Sequence, residues 1–96
     1  MIAIAPGVVQ QDVAAAEVRA ALRRFVIQNF YIANPATLSD EVSLLESGII
    51  DSTGVLELVG FLEHDLGLTV ADAELVPENL DTLSRIAAFV DRKRRG

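Results

Sequence analysis

The apolar residues of this chain recur every three or four positions in three separate stretches, with a proline or glycine breaking the sequence between them. Val18, Ala21, Leu22, Phe25, Val26 and Phe30 mark the first stretch. Val55, Leu58, Val59, Leu62 and Leu66 mark the second, and Leu83, Ile86, Ala87, Phe89 and Val90 the third. This spacing follows the 3.6-residue period of an α-helix and gives each helix one apolar stripe that has to be covered. Three such stripes in 96 residues cover one another as a small antiparallel helical bundle, so the fold class is all-α. With four Phe, one Tyr and no Trp, the core has to be filled by Leu, Val, Ile and Ala, which also favours helices.

The breaks set the boundaries. Asp12 is a suitable cap for helix one, predicted over about 12–30, and Pro35 prevents its continuation. Residues 1–11 form a flexible lead-in, and 12–96 form a single domain with one core. A long connection follows helix one, with Val42, Leu44, Leu45, Ile49 and Ile50 spaced to pin it across the bundle. A connection of that length inside a compact domain tends to be functional. Helix two is predicted over 52–66, with Gly67 at the C′ position. Thr69-Val70 is extended, and Pro77 suits the first turn of a short helix reaching Leu80. Asp81 or Thr82 caps the last helix, whose closing Arg92-Lys93-Arg94-Arg95 complements the helix dipole. The result is a four-helix bundle of three main helices and one short one.

Composition removes several function classes. There is no cysteine, so a disulfide framework and a thiolate metal site are both excluded, and a cytoplasmic location is expected. Met1 to Pro6 is apolar but short and lacks a basic lead, fitting neither a signal peptide nor a membrane span. The net charge of −6 argues against nucleic acid. That total conceals an asymmetry. From Asp40 through Asp81 there are eleven Asp or Glu residues and no Lys or Arg, a window of −11; eight basic against three acidic residues make the remainder +5. The basic tail reads as a solvated helix end, and the protein as a monomer with no nucleic-acid or membrane partner.

The stretch Gly48-Ile49-Ile50-Asp51-Ser52 opens the second helical stretch and admits three readings of Ser52. It can be an N-cap, a role worth about 1 kcal/mol that Asp51 and Thr53 could also fill. It can be a hydrolytic nucleophile with His64, the only histidine, as base. Both would lie on helix two, about 18 Å apart at 1.5 Å per residue, far beyond proton-transfer distance. The absence of a second histidine, a cysteine, a nucleophile elbow and a phosphate-binding loop removes the familiar catalytic arrangements, so the chain is not expected to be an enzyme. His64 reads as a solvated residue and no metal site is expected. The third reading is a modification site, because a serine at a helix N-terminus is exposed beside unpaired N–H groups that favour an added phosphate.

The run Leu44-Leu45-Glu46-Ser47-Gly48-Ile49-Ile50-Asp51-Ser52 with Leu56-Glu57-Leu58-Val59, then Leu66-Gly67-Leu68, Val76-Pro77-Glu78-Asn79-Leu80-Asp81-Thr82-Leu83 and Ile86, resembles the acyl carrier protein family of phosphopantetheine-attachment domains. The resemblance covers about 12–92. It implies that Ser52 receives 4′-phosphopantetheine from coenzyme A through a phosphodiester, with Asp51 engaged by the phosphopantetheinyl transferase. It further implies that the arm carries acyl or aminoacyl cargo as a thioester in fatty-acid, polyketide or other secondary-metabolite biosynthesis. Partners would be the transferase, a cargo-loading ligase or acyltransferase, and downstream synthases with basic docking patches. The competing reading is an unmodified helical interaction module in which Ser52 is only a cap; a regulatory domain phosphorylated at Ser52 is a third.

Helical spacing places Leu56, Gly60 and Glu63 on the face of Ser52, flanked by Thr53 and Glu57, away from the core stripe. An apolar residue among carboxylates is the composition of a transient contact patch that steers a basic partner. Thr53-Gly54 and Gly60 depart from the large residues many family members carry. The flatter face this creates is expected to suit a specialised partner set.

Overall fold

A computed structural model describes the backbone of residues 6–95 and side chains from residue 16 onward. Four α-helices follow in order, α1 Pro6–Asn29, α2 Ser52–His64, α3 Pro77–Leu80 and α4 Leu83–Arg95, with 3₁₀ turns at Pro35–Thr37 and Asp72–Glu74. No strand occurs among the described residues. The protein is an all-helical bundle. Helix α1 begins at Pro6 and not at Asp12, so residues 6–11 of the expected lead-in are helical and Asp12 lies inside the helix, while the rest of that lead-in, residues 1–5, lies outside the described residues. A proline at the first position has its φ set for a helix and no N–H to leave unpaired, so it is a better start than the sequence reading allowed.

The three stripes meet in one core. Val18, Leu22 and Val26 of α1 pack with Leu58 and Leu62 of α2 and with Leu83, Ile86, Phe89 and Val90 of α4, all buried. Helix α4 packs on both α1 and α3. Helix α2 is shorter than predicted and ends at His64 with Asp65 as its C-cap; the turn is completed by Gly67 at φ +74°, a conformation that glycine adopts freely. The Leu68 N–H then reaches the Leu62 carbonyl at 3.1 Å.

The long connection is held by apolar and polar contacts together. Leu38, Leu44 and Ile50 are buried in the core, and Val42 and Ile49 are half-buried. Leu45, expected to help pin the segment, is 41% exposed. Its backbone serves instead, because the Leu45 N–H donates to Asp81 Oδ1 at 3.0 Å and the Ser43 hydroxyl donates to Asp81 Oδ2 at 2.6 Å. The Leu44 N–H reaches the Asp81 carbonyl at 2.7 Å, and the Ser84 N–H reaches the Asp40 carbonyl at 3.0 Å. Asp81 is thus not the cap of α4. Thr82 is, accepting the Arg85 N–H on its hydroxyl at 3.0 Å. Burial pushes the Asp81 carboxyl up, but donation from Ser43 and Leu45 and the charge of Arg85 outweigh that and hold it below the usual range.

Candidate functional site

The connection delivers the chain to the head of α2. Gly48, at φ +77°, turns the backbone after the Ser43–Ser47 turns. Ile50 is 2% exposed and anchors the next step in the core. Asp51 is extended, with φ −104° and ψ −173°; its Oδ1 accepts the Gly54 N–H at 2.8 Å and its carbonyl accepts the Val55 N–H at 3.0 Å. Asp51 is therefore the N-cap.

That assignment removes the cap reading of Ser52. Ser52 is the first residue within the helix, exposed, and among the described residues its hydroxyl takes part in no hydrogen bond. It does not cap α2. Helix geometry leaves the N–H groups of Ser52 and Thr53 without intrahelical acceptors, so the hydroxyl stands beside two outward donors and the positive end of the helix dipole. A phosphodiester on this oxygen would sit in a favourable field at no cost to the fold.

Thr53, Leu56, Glu57 and Glu63 are all exposed on α2, as the spacing predicted. Leu56 is 65% exposed although it lies in the middle of a helix. Glu63 has a second task, accepting the Val70 N–H at 3.1 Å and so tying the following loop to α2. Gly60 is half-buried and forms part of the wall of a groove of about 620 Å³ between α1 and α2, with Arg24, Phe25, Phe61 and His64. A Cβ at Gly60 would meet nothing within 4 Å. His64 is exposed at the far end of α2 from Ser52, which keeps the two apart as the helix rise requires.

Gly54 corrects one expectation. It is buried and contributes nothing to a flat outer face; a Cβ there would lie 2.7 Å from Phe30 Cε1 and 3.0 Å from Ile50 Cγ2. Phe30 in turn meets Phe25 edge-on at 5.8 Å, and Phe25 stacks on Phe61 of α2 at 4.5 Å. The sequence held a signal for this contact. Gly54 stands in the first turn of an otherwise strongly apolar helix, where glycine costs up to about 1 kcal/mol relative to alanine unless something must approach closely.

No family model matches the chain. Among curated proteins it is 32% identical over 65 residues to a D-alanyl carrier protein of Streptococcus suis (strain 98HAH33), covering 68% of this chain and 81% of that protein. It is 30% identical over 53 residues to a D-alanyl carrier protein of Abiotrophia defectiva, covering 55% of this chain and 67% of that protein. Both are carrier proteins. Together with the helical order and the Asp-Ser pair at the head of α2, these likenesses establish that the chain belongs to the acyl carrier protein family.

Proposed function

We propose that Ser52 is the attachment point of a 4′-phosphopantetheine arm and that the chain presents a small aminoacyl group to partner enzymes. The observation that carries this reading is the division of labour at the head of α2. Asp51 takes the cap, and the Ser52 hydroxyl is left exposed and unengaged among the described residues. A serine needed only for capping would carry that hydrogen bond itself.

In the attachment step the Ser52 oxygen attacks the coenzyme A phosphorus that bears pantetheine; the new P–O bond forms as the bond to the nucleotide phosphate breaks, and the hydroxyl proton leaves to a base of the transferase. The arm supplies a thiol that this cysteine-free chain lacks, and holds cargo on it as a thioester. The chain's own part is to anchor and to be recognised. Carrier proteins are generally non-catalytic, and the residues here fit that role. Asp51 is exposed beside Ser52 and is available to the transferase, while Leu56, Glu57 and Glu63 offer an apolar contact among carboxylates to the transferase and to a cargo-loading ligase. The aminoacyl class of cargo rests on the relatives' names as D-alanyl carriers, in preference to fatty-acid or polyketide chains. Among the described residues no helix is long and apolar enough to cross a membrane.

The test is intact mass after incubation with coenzyme A, magnesium and a broad-specificity phosphopantetheinyl transferase, beside Ser52→Ala. One phosphopantetheinyl increment, absent from the variant, is expected. No increment on a folded chain, with the transferase active on a control carrier, refutes the attachment and leaves an unmodified interaction module. Loading of the modified chain with D-alanine by an adenylating ligase, in preference to a medium-chain fatty acid, then tests the cargo class.

A further inference from the structure

The attachment chemistry needs Ser52 aimed consistently at a transferase, and aromatic rings meet α2 at two levels, one from α1 and one from the residue that follows it. Phe25 of α1 stacks on Phe61 at 4.5 Å with an interplanar angle of 20°, fixing α2 near its third turn. Phe30, just beyond α1, lies over Gly54 in the first turn, so close that a Cβ at position 54 would be 2.7 Å from its Cε1 and 3.3 Å from its Cζ. The Phe30 ring is itself held edge-on by Phe25, at 5.8 Å and 78°. Two contacts along one helix fix its direction. The upper one lies two residues from Ser52, on the residue whose N–H the Asp51 cap binds.

We propose that Phe30 and Gly54 are positioning residues for the modification of Ser52, the ring seating the first turn of α2 and so setting the direction in which the serine hydroxyl is presented. This rests on Ser52 being the modified residue. The ring cannot withdraw without losing its edge contact with Phe25, so a methyl group at position 54 displaces the first turn outward. Ile50, at 3.0 Å from the same Cβ position, closes the other way out. The Gly54 N–H to Asp51 bond is strained by the same displacement, because donor and obstruction belong to one residue. Attack on a bound phosphorus is sensitive to this, since misplacement of a reacting group by about 1 Å can cost roughly 100-fold.

The experiment compares wild type, Gly54→Ala, Phe30→Leu and the double variant. Initial rates of phosphopantetheinylation are read by intact mass at a temperature where circular dichroism finds each folded. Hydrogen exchange of the position-54 amide supplies a reading independent of the enzyme. Gly54→Ala is expected to lower kcat/KM by roughly tenfold or more and to speed exchange at that amide. Trimming the ring in the double variant makes room for the methyl group and is expected to bring both back towards wild type. Gly54→Ala modified at the wild-type rate, or a double variant no better than the single, overturns the proposal. Should Gly54→Ala fail to fold, Phe30→Leu decides: slower modification with faster exchange at the position-54 amide supports the role, and no change in either overturns it. A wild type that accepts no phosphopantetheine overturns the assignment of Ser52 itself. A modified wild type with an unaffected Gly54→Ala overturns only the role of the Phe30–Gly54 contact.

Discussion

Removing the Asp81 carboxylate should release the long connection that presents the head of α2. Asp81 is 8% exposed and takes hydrogen bonds from the Ser43 hydroxyl at 2.6 Å and the Leu45 N–H at 3.0 Å. Hydrogen bonds to a charged group are worth about 1.5–3 kcal/mol each; Ser43 is half-buried and Leu45 exposed, so water replaces part of what is lost and the lower end applies. Two such bonds make Asp81→Ala destabilising by about 3 kcal/mol, a large share of the ~5–15 kcal/mol of a domain. For a chain of this length the melting temperature falls by roughly 12–24 °C. Asp81→Asn keeps an acceptor for Leu45 and offers Ser43 a donor in place of an acceptor, so its cost is nearer 1 kcal/mol.

The pH dependence of that difference is an independent check. The folded-state pKa of Asp81 is depressed, so its stabilisation is fully present above the unfolded value, about 3.9, and is lost as pH falls below that value towards the folded one. Urea unfolding followed by circular dichroism at pH 7 and at pH 3 should therefore find the gap between wild type and Asp81→Asn larger at pH 7. A gap that is equal at both pH values, or an Asp81→Ala cost below about 1 kcal/mol, would refute the clamp, because a carboxylate that holds nothing changes little when removed.

Gly60→Ala should raise stability by about 0.5–1 kcal/mol in the same unfolding assay, since the helix gains propensity and the Cβ meets nothing within 4 Å, whereas Gly54→Ala should lower it. Leu56→Ala, at a site 65% exposed, should leave the melting temperature almost unchanged while lowering kcat/KM with the cargo-loading ligase; equal turnover would remove Leu56 from the contact patch. That partnership should also weaken between low and physiological salt, where exposed charges are screened over about 8–10 Å; salt-insensitive turnover would argue against steering by the acidic face.

Helix α2 illustrates how far periodicity reaches. Leu58 and Leu62 face the core as their spacing requires, and Leu56 faces out, because a helix fixes the angle between residues whatever surrounds it. The same local geometry separates His64 from Ser52 and places Pro77 at the head of α3. Chain ends were harder to read. Asp12 is an acceptable cap, but α1 begins at Pro6, which has no N–H to leave unpaired at a helix start.

The sequence alone determined the elements, the burial stripes, the concentration of acid between Asp40 and Asp81, and the Asp-Ser pair at the start of an amphipathic helix. Each follows from residue type and short-range spacing. Only the structure decided which of three neighbouring residues, Asp51, Ser52 or Thr53, holds the cap, and that decision leaves Ser52 exposed and outside the cap. It also turned Asp81 from one of two candidate helix caps into the clamp on a segment 36–38 residues distant, and Gly54 from a surface feature into the seat of Phe30. The Asp51 cap is a local contact over three residues, set by the extended backbone at position 51; for Asp81 and Gly54 the physical reason is common. Hydrogen-bond partners and close approach are relations between groups far apart in the chain, and neither propensity nor period carries information about which distant atom will arrive.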